Sequence, residues 1–143
     1  MIPNFRSKLR LSPYPDGVTW YLDTTLVYAR RHEVIRVPSN FETDLASVPR
    51  AFYSLFPPWG VYGEAAILHD WLYWHQGKSK PDADAIFLEA MTALGVQRWK
   101  RTCLYLAVRL FGRSAWDNNA LIGSQGYSRI RTRCSPVSPE WNR

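Results

Sequence analysis

His69, Asp70 and Tyr73 stand in a run, Val61 to Trp74, that is otherwise almost wholly apolar, aromatic or alanine apart from Glu64 near its start. A helix with no polar face must lie buried. An imidazole or carboxylate buried without a partner costs on the order of several kcal/mol, so these groups need companions. On a helix His69 and Tyr73 are i, i+4 neighbours and Asp70 and Tyr73 are i, i+3 neighbours, which makes one polar patch on an apolar rod. Two more carboxylates sit in apolar contexts: Asp44 within Thr43-Asp44-Leu45-Ala46-Ser47-Val48-Pro49, and Asp84 just ahead of Ile86-Phe87. An imidazole with such carboxylates supplies ligands for a divalent metal or the parts of an acid/base centre. The chemistry this implies is hydrolysis, with a divalent metal as the cofactor class the ligands admit. His69 acts as general base, Asp44 and Asp70 as metal or water ligands, and Tyr73 and Asp84 as orienting groups.

Each residue also has a plainer reading. His69 serves equally as a core histidine bonded to a carbonyl, and the whole set as a structural hydrogen-bond network joining sheet to helices. Asp82 reads as a helix N-terminal charge favoured by the macrodipole, and Asp84 admits the same reading. Asp44 caps its own turn, and Tyr73 packs. Thr43 is a supporting hydroxyl. Ser47 would be a nucleophile only beside His69, and its place two residues before Pro49 favours a helix cap. His32 and His75 read as exposed.

The elements that position these groups follow from periodicity. Phe5–Leu11 alternates apolar or small residues with basic ones, the period of a half-buried strand. Tyr14-Pro15-Asp16-Gly17 is a turn. Val18–Leu22, Thr24–Ala29 and Glu33–Val37 continue an antiparallel meander, and Phe41–Thr43 is a last short strand. Beyond Asp44 the period becomes helical. A short helix is expected at Ala51–Phe56, a second at Tyr62–His75 with Gly77 in its C-terminal cap, and a third from Pro81 to Leu94 with Gly95 as its stop. A fourth, Gln97–Phe111, carries apolar residues at Trp99, Cys103, Leu106 and Leu110 and is closed by Gly112. Trp116-Asp117-Asn118-Asn119 opens a further element. The fold class is α+β, an N-terminal antiparallel β-meander packed on three to four C-terminal helices. One domain is expected over 1–123, with a basic, turn-rich tail over 124–143.

A chain of 143 residues is long enough to bury a real core. No apolar run approaches the roughly 20 residues that span a bilayer, and the N-terminus lacks the apolar core of a secretory signal. Cys103 in an apolar run and Cys134 in a polar tail argue against a disulfide framework. Residues 1–95 hold nine Lys/Arg against ten Asp/Glu, whereas residues 96–143 hold nine against two. The excess positive charge therefore lies in the last third, in Arg98, Lys100 and Arg101 and in Arg129, Arg131 and Arg133. Its simplest reading is a solvated face. It also suits an anionic surface, an acidic protein or nucleic acid, although no motif that reads nucleic acid accompanies it.

Phe41-x-Thr43-Asp44-Leu45-Ala46-Ser47-Val48-Pro49-Arg50, then Gly60-x-Tyr62-x-x-Ala65-Ala66-x-Leu68-His69-Asp70-Trp71-Leu72-Tyr73, then Ala83-Asp84-x-Ile86-Phe87-x-x-Ala90-Met91 resembles the DUF1353 family over residues 38–116. The resemblance implies a small tailed-phage or prophage protein of unassigned activity, working in the host cytoplasm or the virion. Its polar positions are Thr43, Asp44, Ser47, His69, Asp70, Tyr73 and Asp84. Non-catalytic alternatives are a virion or tail component, or a binder of phage or host proteins through the basic C-terminal third. His-Asp-x-x-Tyr with an Asp on a neighbouring helix is also similar to the secreted phospholipase A2 arrangement. That likeness implies His69 as base for water, Asp70 as calcium ligand, and Tyr73 and Asp84 as groups orienting His69. The chain lacks the paired cysteines and the glycine-rich calcium loop of those enzymes.

Overall fold

The computed structural model describes residues 2–44 and 60–131. Ser47, Arg133, Cys134 and the short helix expected at Ala51–Phe56 lie outside the described residues.

Six short strands form at the runs rich in β-branched and aromatic residues: β1 Asn4–Phe5, β2 Leu11–Pro13, β3 Trp20–Leu22, β4 Leu26–Arg30, β5 Glu33–Val37 and β6 Glu42–Thr43. They pair antiparallel in two three-stranded sheets, β1-β4-β5 and β2-β3-β6, where the sequence predicts one meander. The alternation of Phe5–Leu11 is split between the two. Ser7 accepts a hydrogen bond from the Val27 amide through its hydroxyl at 2.8 Å, so a side chain replaces the next ladder bond. The chain then leaves β4, and Arg10 accepts instead from the Asp23 amide at 3.0 Å. Leu26 and Tyr28 of β4 alternate inward opposite Val37 and Ile35 of β5, which gives the sheet its apolar face.

Four helices complete the chain: α1 Gly63–His75, α2 Lys80–Ala93, α3 Arg98–Phe111 and α4 Arg113–Ser124. The left-handed residue that ends α1 is Gln76 (φ 51°) rather than the expected Gly77, and its amide bonds Leu72 O. Its side chain also donates to Trp116 O at 2.8 Å. That bond fastens α1 to α4 and holds Gln76 in a conformation glycine adopts more easily. At α2, the Ser79 hydroxyl accepts from the Asp82 amide and donates to the Asp82 carboxylate. Asp82 is thus the N-terminal capping charge of the plainer reading. Gly95 (φ 74°) follows the end of α2 as expected.

One carboxylate pins the sheet to the helices. Glu89 on α2 accepts from Tyr28 OH at 2.9 Å and from Arg30 Nε and Nη2 at 2.8 and 3.1 Å. Burial pushes the Glu89 carboxyl up, but Arg30 and Tyr28 outweigh it and hold the group below its ordinary range. Replacing Glu89 by alanine is expected to cost about 1.5–3 kcal/mol, read as a lower urea midpoint.

Helix α3 departs from its sequence reading. Its core-facing row is Leu104, Ala107 and Val108, whereas Trp99, Cys103, Leu106 and Leu110 face out. The helical period was legible but the buried face was not. The helix carries two apolar rows, and the one with smaller side chains fits closely between its neighbours. Residues 129–131, assigned to the basic tail, return to the sheets. Arg129 O accepts from the Glu42 amide at 2.7 Å, the Arg131 amide donates to Asn40 O at 2.8 Å, and Ile130 bridges Phe41. No helix among the described residues is long and apolar enough to cross a membrane.

Candidate functional site

Asp84 organises the buried polar groups. The turn between α1 and α2 makes them neighbours, and their stagger brings Asp84, in the first turns of α2, level with the middle of α1. One oxygen of Asp84 accepts from His69 Nε2 at 2.8 Å and from Tyr73 OH at 2.6 Å. The other accepts from Lys80 Nζ at 2.8 Å, and Lys80 also donates to Val108 O at 2.9 Å. The Asp84 side chain is fully buried, His69 is 1% exposed and Lys80 8%. His69 lies between rings, 4.6 Å from Phe87 and 4.1 Å from Tyr73.

The electrostatics follow from this contact set. Burial raises the Asp84 carboxyl, but the bonds from His69, Lys80 and Tyr73 bring it below its ordinary 3.8, so Asp84 is an anion. Burial and the Asp84 charge push the Tyr73 hydroxyl well above its usual value, so it stays a donor. A carboxylate only accepts, so the Nε2 of His69 must carry the ring proton. In the neutral ring Nδ1 then holds the lone pair. Among the described residues, Nδ1 is the one buried side-chain nitrogen or oxygen with no hydrogen-bond partner. A buried polar atom left unpaired costs about 1–3 kcal/mol.

His69, Asp70 and Tyr73 line a cleft of about 250 Å³, walled by Val108, Phe111 and Gly112 at the end of α3, by Asn118 and Asn119 of α4, and by Asp44 and Arg129. Thr43 donates a hydrogen bond to Asp70, tying β6 to α1. A smaller cleft of about 140 Å³, lined by Thr19, Glu42 and Thr43, shares Asp44 and Arg129 with the first. Asp44 is exposed at the rim, and Asp70 is buried. They are the carboxylates that would hold a cation. No group of three His, Cys, Asp or Glu suited to a metal ion occurs among the described residues.

The structure thus joins His69, Tyr73 and Asp84 in one hydrogen-bonded set and places Asp70 and Asp44 on the same cleft. Of the basic residues singled out, Arg129 lines the cleft. Arg131 stacks 4.8 Å from the Tyr21 ring, Arg101 donates to Val96 O at 3.1 Å, and Arg98 and Lys100 lie on the first turn of α3. The sequence reading missed Lys80, for which the i, i+4 spacing to Asp84 is the one signal and does not show burial. It also missed the roles of Asn118, Asn119 and Gly112, whose polar or small character carries no signal without the helix crossing.

Two predictions arise from these contacts. A Cβ on Gly112 would lie 2.3 Å from Val108 O and 2.5 Å from Tyr73 OH, so Gly112→Ala must displace the end of α3 or Tyr73. A cost of about 1–3 kcal/mol is expected in denaturant unfolding. The second concerns acid. Because the Asp84 carboxyl is lowered on folding, the stability it contributes is complete above the unfolded-chain value and is lost as pH falls through the folded value. Below about pH 4, stability of the parent should fall more steeply than that of Asp84→Asn, by up to about 1.4 kcal/mol per pH unit. Parallel slopes would show that Asp84 is not ionised in the fold.

The fold and site define a small α+β protein with a buried histidine–carboxylate pair at the floor of a cleft. The chain belongs to the family of proteins of unknown function DUF1353, whose model matches residues 20–108. The match begins earlier than the motifs, at β3, and ends in α3, so Phe111, Gly112, Asn118, Asn119 and Arg129 lie beyond it. No curated protein and no solved structure matches the chain.

Proposed function

We propose that this protein is a small phage-encoded hydrolase in which His69 Nδ1 takes the proton from a water molecule attacking a substrate in the cleft. The observation that carries this reading is the asymmetry of the imidazole. Nε2 is committed to an ionised, buried Asp84, and Nδ1 has no partner among the described residues. That arrangement suits a general base, because Asp84 fixes the tautomer and offsets the positive charge that develops on the ring. Tyr73 and Lys80 hold Asp84 in place from its two oxygens, which leaves His69 a single orientation. Asp44 and Asp70 would hold a divalent cation, which would polarise the carbonyl or phosphoryl group under attack. The phage setting rests on the motif resemblance.

The test is turnover of a panel of carboxylic esters, amides and phosphodiesters by the purified protein, with calcium, magnesium or zinc and with a chelator. Hydrolysis that disappears in His69→Gln supports the reading. Absence of turnover under every condition, or equal turnover by His69→Gln, overturns it. Dependence on added cation that is lost in Asp70→Asn, with His69 intact, assigns the metal role.

A further inference from the structure

Arg129 lies where two clefts meet. It lines the cleft of about 250 Å³ that holds His69 and the neighbouring one of about 140 Å³, and Asp44 is the other residue common to both. The backbone at Arg129 is fixed, because its carbonyl accepts from the Glu42 amide at 2.7 Å. Its guanidinium lies over the Trp74 ring, 5.5 Å from the centroid, a contact that orients the plane and leaves the N–H edge able to donate. Among the described residues no ion pair ties Arg129 to a carboxylate. A second donor faces the same space. Ala115, Asn118 and Asn119, three and four residues apart, form the cleft face of α4. Asn119 is 7% exposed, and its side-chain amide takes part in no hydrogen bond among the described residues. A nearly buried amide is ordinarily hydrogen-bonded, so this one is completed from the cleft. We propose that Arg129 and Asn119 hold the anion of a phosphodiester, which is the substrate class of the cleft.

Three physical points select that class. Arg129 stands at the junction of the clefts, so the anion it holds has room for a substituent on either side. A phosphodiester carries its charge between two substituents, whereas a carboxylate or a phosphomonoester ends a chain and would use one cleft alone. The guanidinium fork also matches the two non-bridging oxygens of a phosphodiester, which it can engage with parallel N–H bonds. Size agrees with this division. The larger cleft falls below the roughly 300–1,000 Å³ that houses a whole drug-sized ligand, so it takes one arm of the substrate, against the apolar Ala107, Val108 and Phe111. Asp44 and Asp70 alone would repel an anion. The divalent cation that the hydrolase reading gives them would reverse that repulsion, and Arg129 would share with it the charge of the phosphoryl group.

The inference rests on the hydrolase reading for its chemistry, though not for the binding itself. The water oxygen bonds to phosphorus while one of its protons passes to His69 Nδ1. The bond from phosphorus to one ester oxygen breaks, and that oxygen leaves as an alcohol with the proton returned from His69. The second water proton stays on the new phosphorus-bound oxygen, so a diester and water become a phosphomonoester and an alcohol. Arg129 and Asn119 serve here as substrate-binding groups, and His69 moves the proton.

The experiment is calorimetric titration of the full chain with diphenyl phosphate, phenyl phosphate and benzoate, each with magnesium and with a chelator. The first is a diester, and the other two end in their charge. Diphenyl phosphate is expected to bind most tightly. Arg129→Gln should weaken it about ten- to a hundredfold, the usual contribution of a hydrogen bond to a charged group. Asn119→Asp keeps the shape of the side chain and adds a negative charge, so it should weaken binding by a similar factor from the α4 side. Unchanged circular dichroism would confirm that both variants fold. Thymidylyl-thymidine and glycerophosphocholine as competitors tell a nucleotide diester from a lipid headgroup. No binding of diphenyl phosphate in either condition, parent-like binding by both variants, or tighter binding of phenyl phosphate or benzoate overturns the proposal. Turnover of carboxylic esters or amides by a protein that binds no diester overturns it and leaves the hydrolase reading standing. Arg129-dependent binding of diphenyl phosphate without turnover of any substrate does the reverse.

Discussion

Replacing Asp84 by alanine is expected to destabilise the protein by about 3–5 kcal/mol, the cost of breaking a buried ion pair from one side. The substitution removes both acceptors at once. Lys80 would keep one bond, to Val108 O, with its charge uncompensated in a site where it is 8% exposed. His69 Nε2 and Tyr73 OH would lose the partner they share. A domain with about 5–15 kcal/mol in hand loses much of its margin to such a change. The measurement is urea unfolding at neutral pH, with the midpoint and slope fitted together. A paired variant separates the missing carboxylate from the stranded charge. Asp84→Leu/Lys80→Met removes both members, and it should recover the part of the Asp84→Leu loss that the stranded Lys80 charge causes, while His69 and Tyr73 stay without their shared acceptor. A cost below about 1 kcal/mol for Asp84→Ala, the range of a solvent-screened pair, would mean that the pair is not buried in solution.

The second large effect falls on rate. If His69 is the base, His69→Gln should lower turnover by about 10²–10⁴-fold, the usual contribution of a positioned base, with little change in the unfolding midpoint. Glutamine is the informative choice. Its amide nitrogen can stand where Nε2 stood and still donate to Asp84, but nothing replaces the basic Nδ1. Alanine would confuse the result by leaving a cavity between Phe87 and Tyr73. A variant that folds as well as the parent and turns over at the same rate would remove His69 from the chemistry. A variant that loses stability without affecting rate would make the cluster a piece of framework.

The sequence was most informative where burial and charge conflict. His69, Asp70 and Tyr73 announce themselves because an apolar helix cannot carry them unpartnered, and Asp84 was a candidate from its place ahead of Ile86-Phe87. Whether Asp84 reached His69 depended on the stagger of α1 and α2, which short loops constrain but do not fix. Lys80 was missed because a lysine in the first helical turn reads as solvent-exposed, and only its depth beneath α3 makes it a buried counter-charge. The helices were legible from period, whereas the outward row of α3 was not. Periodicity shows that apolar residues share a face and does not say which of two faces meets the core. The division into two sheets was hidden for a related reason. Alternation marks a strand, but the exchange at Ser7 from one pairing partner to another is written in a single hydroxyl.

The bridge between Phe41 and Ile130 joins points roughly ninety residues apart, and Arg129 beside it is part of the wall of the cleft. Contacts of such long range carry a large loop-closure entropy and tend to form late. On a translating ribosome the α1–α2 core can assemble as soon as both helices have emerged. The cleft then lacks a wall until the segment beyond α4 has been made, some seconds later at about 5–20 residues per second. The nascent chain thus holds an ordered but incomplete site, and the cleft closes only once Arg129 has emerged. A nick between α4 and Arg129 in the mature protein would return it to that state, leaving the core standing and the cleft unwalled.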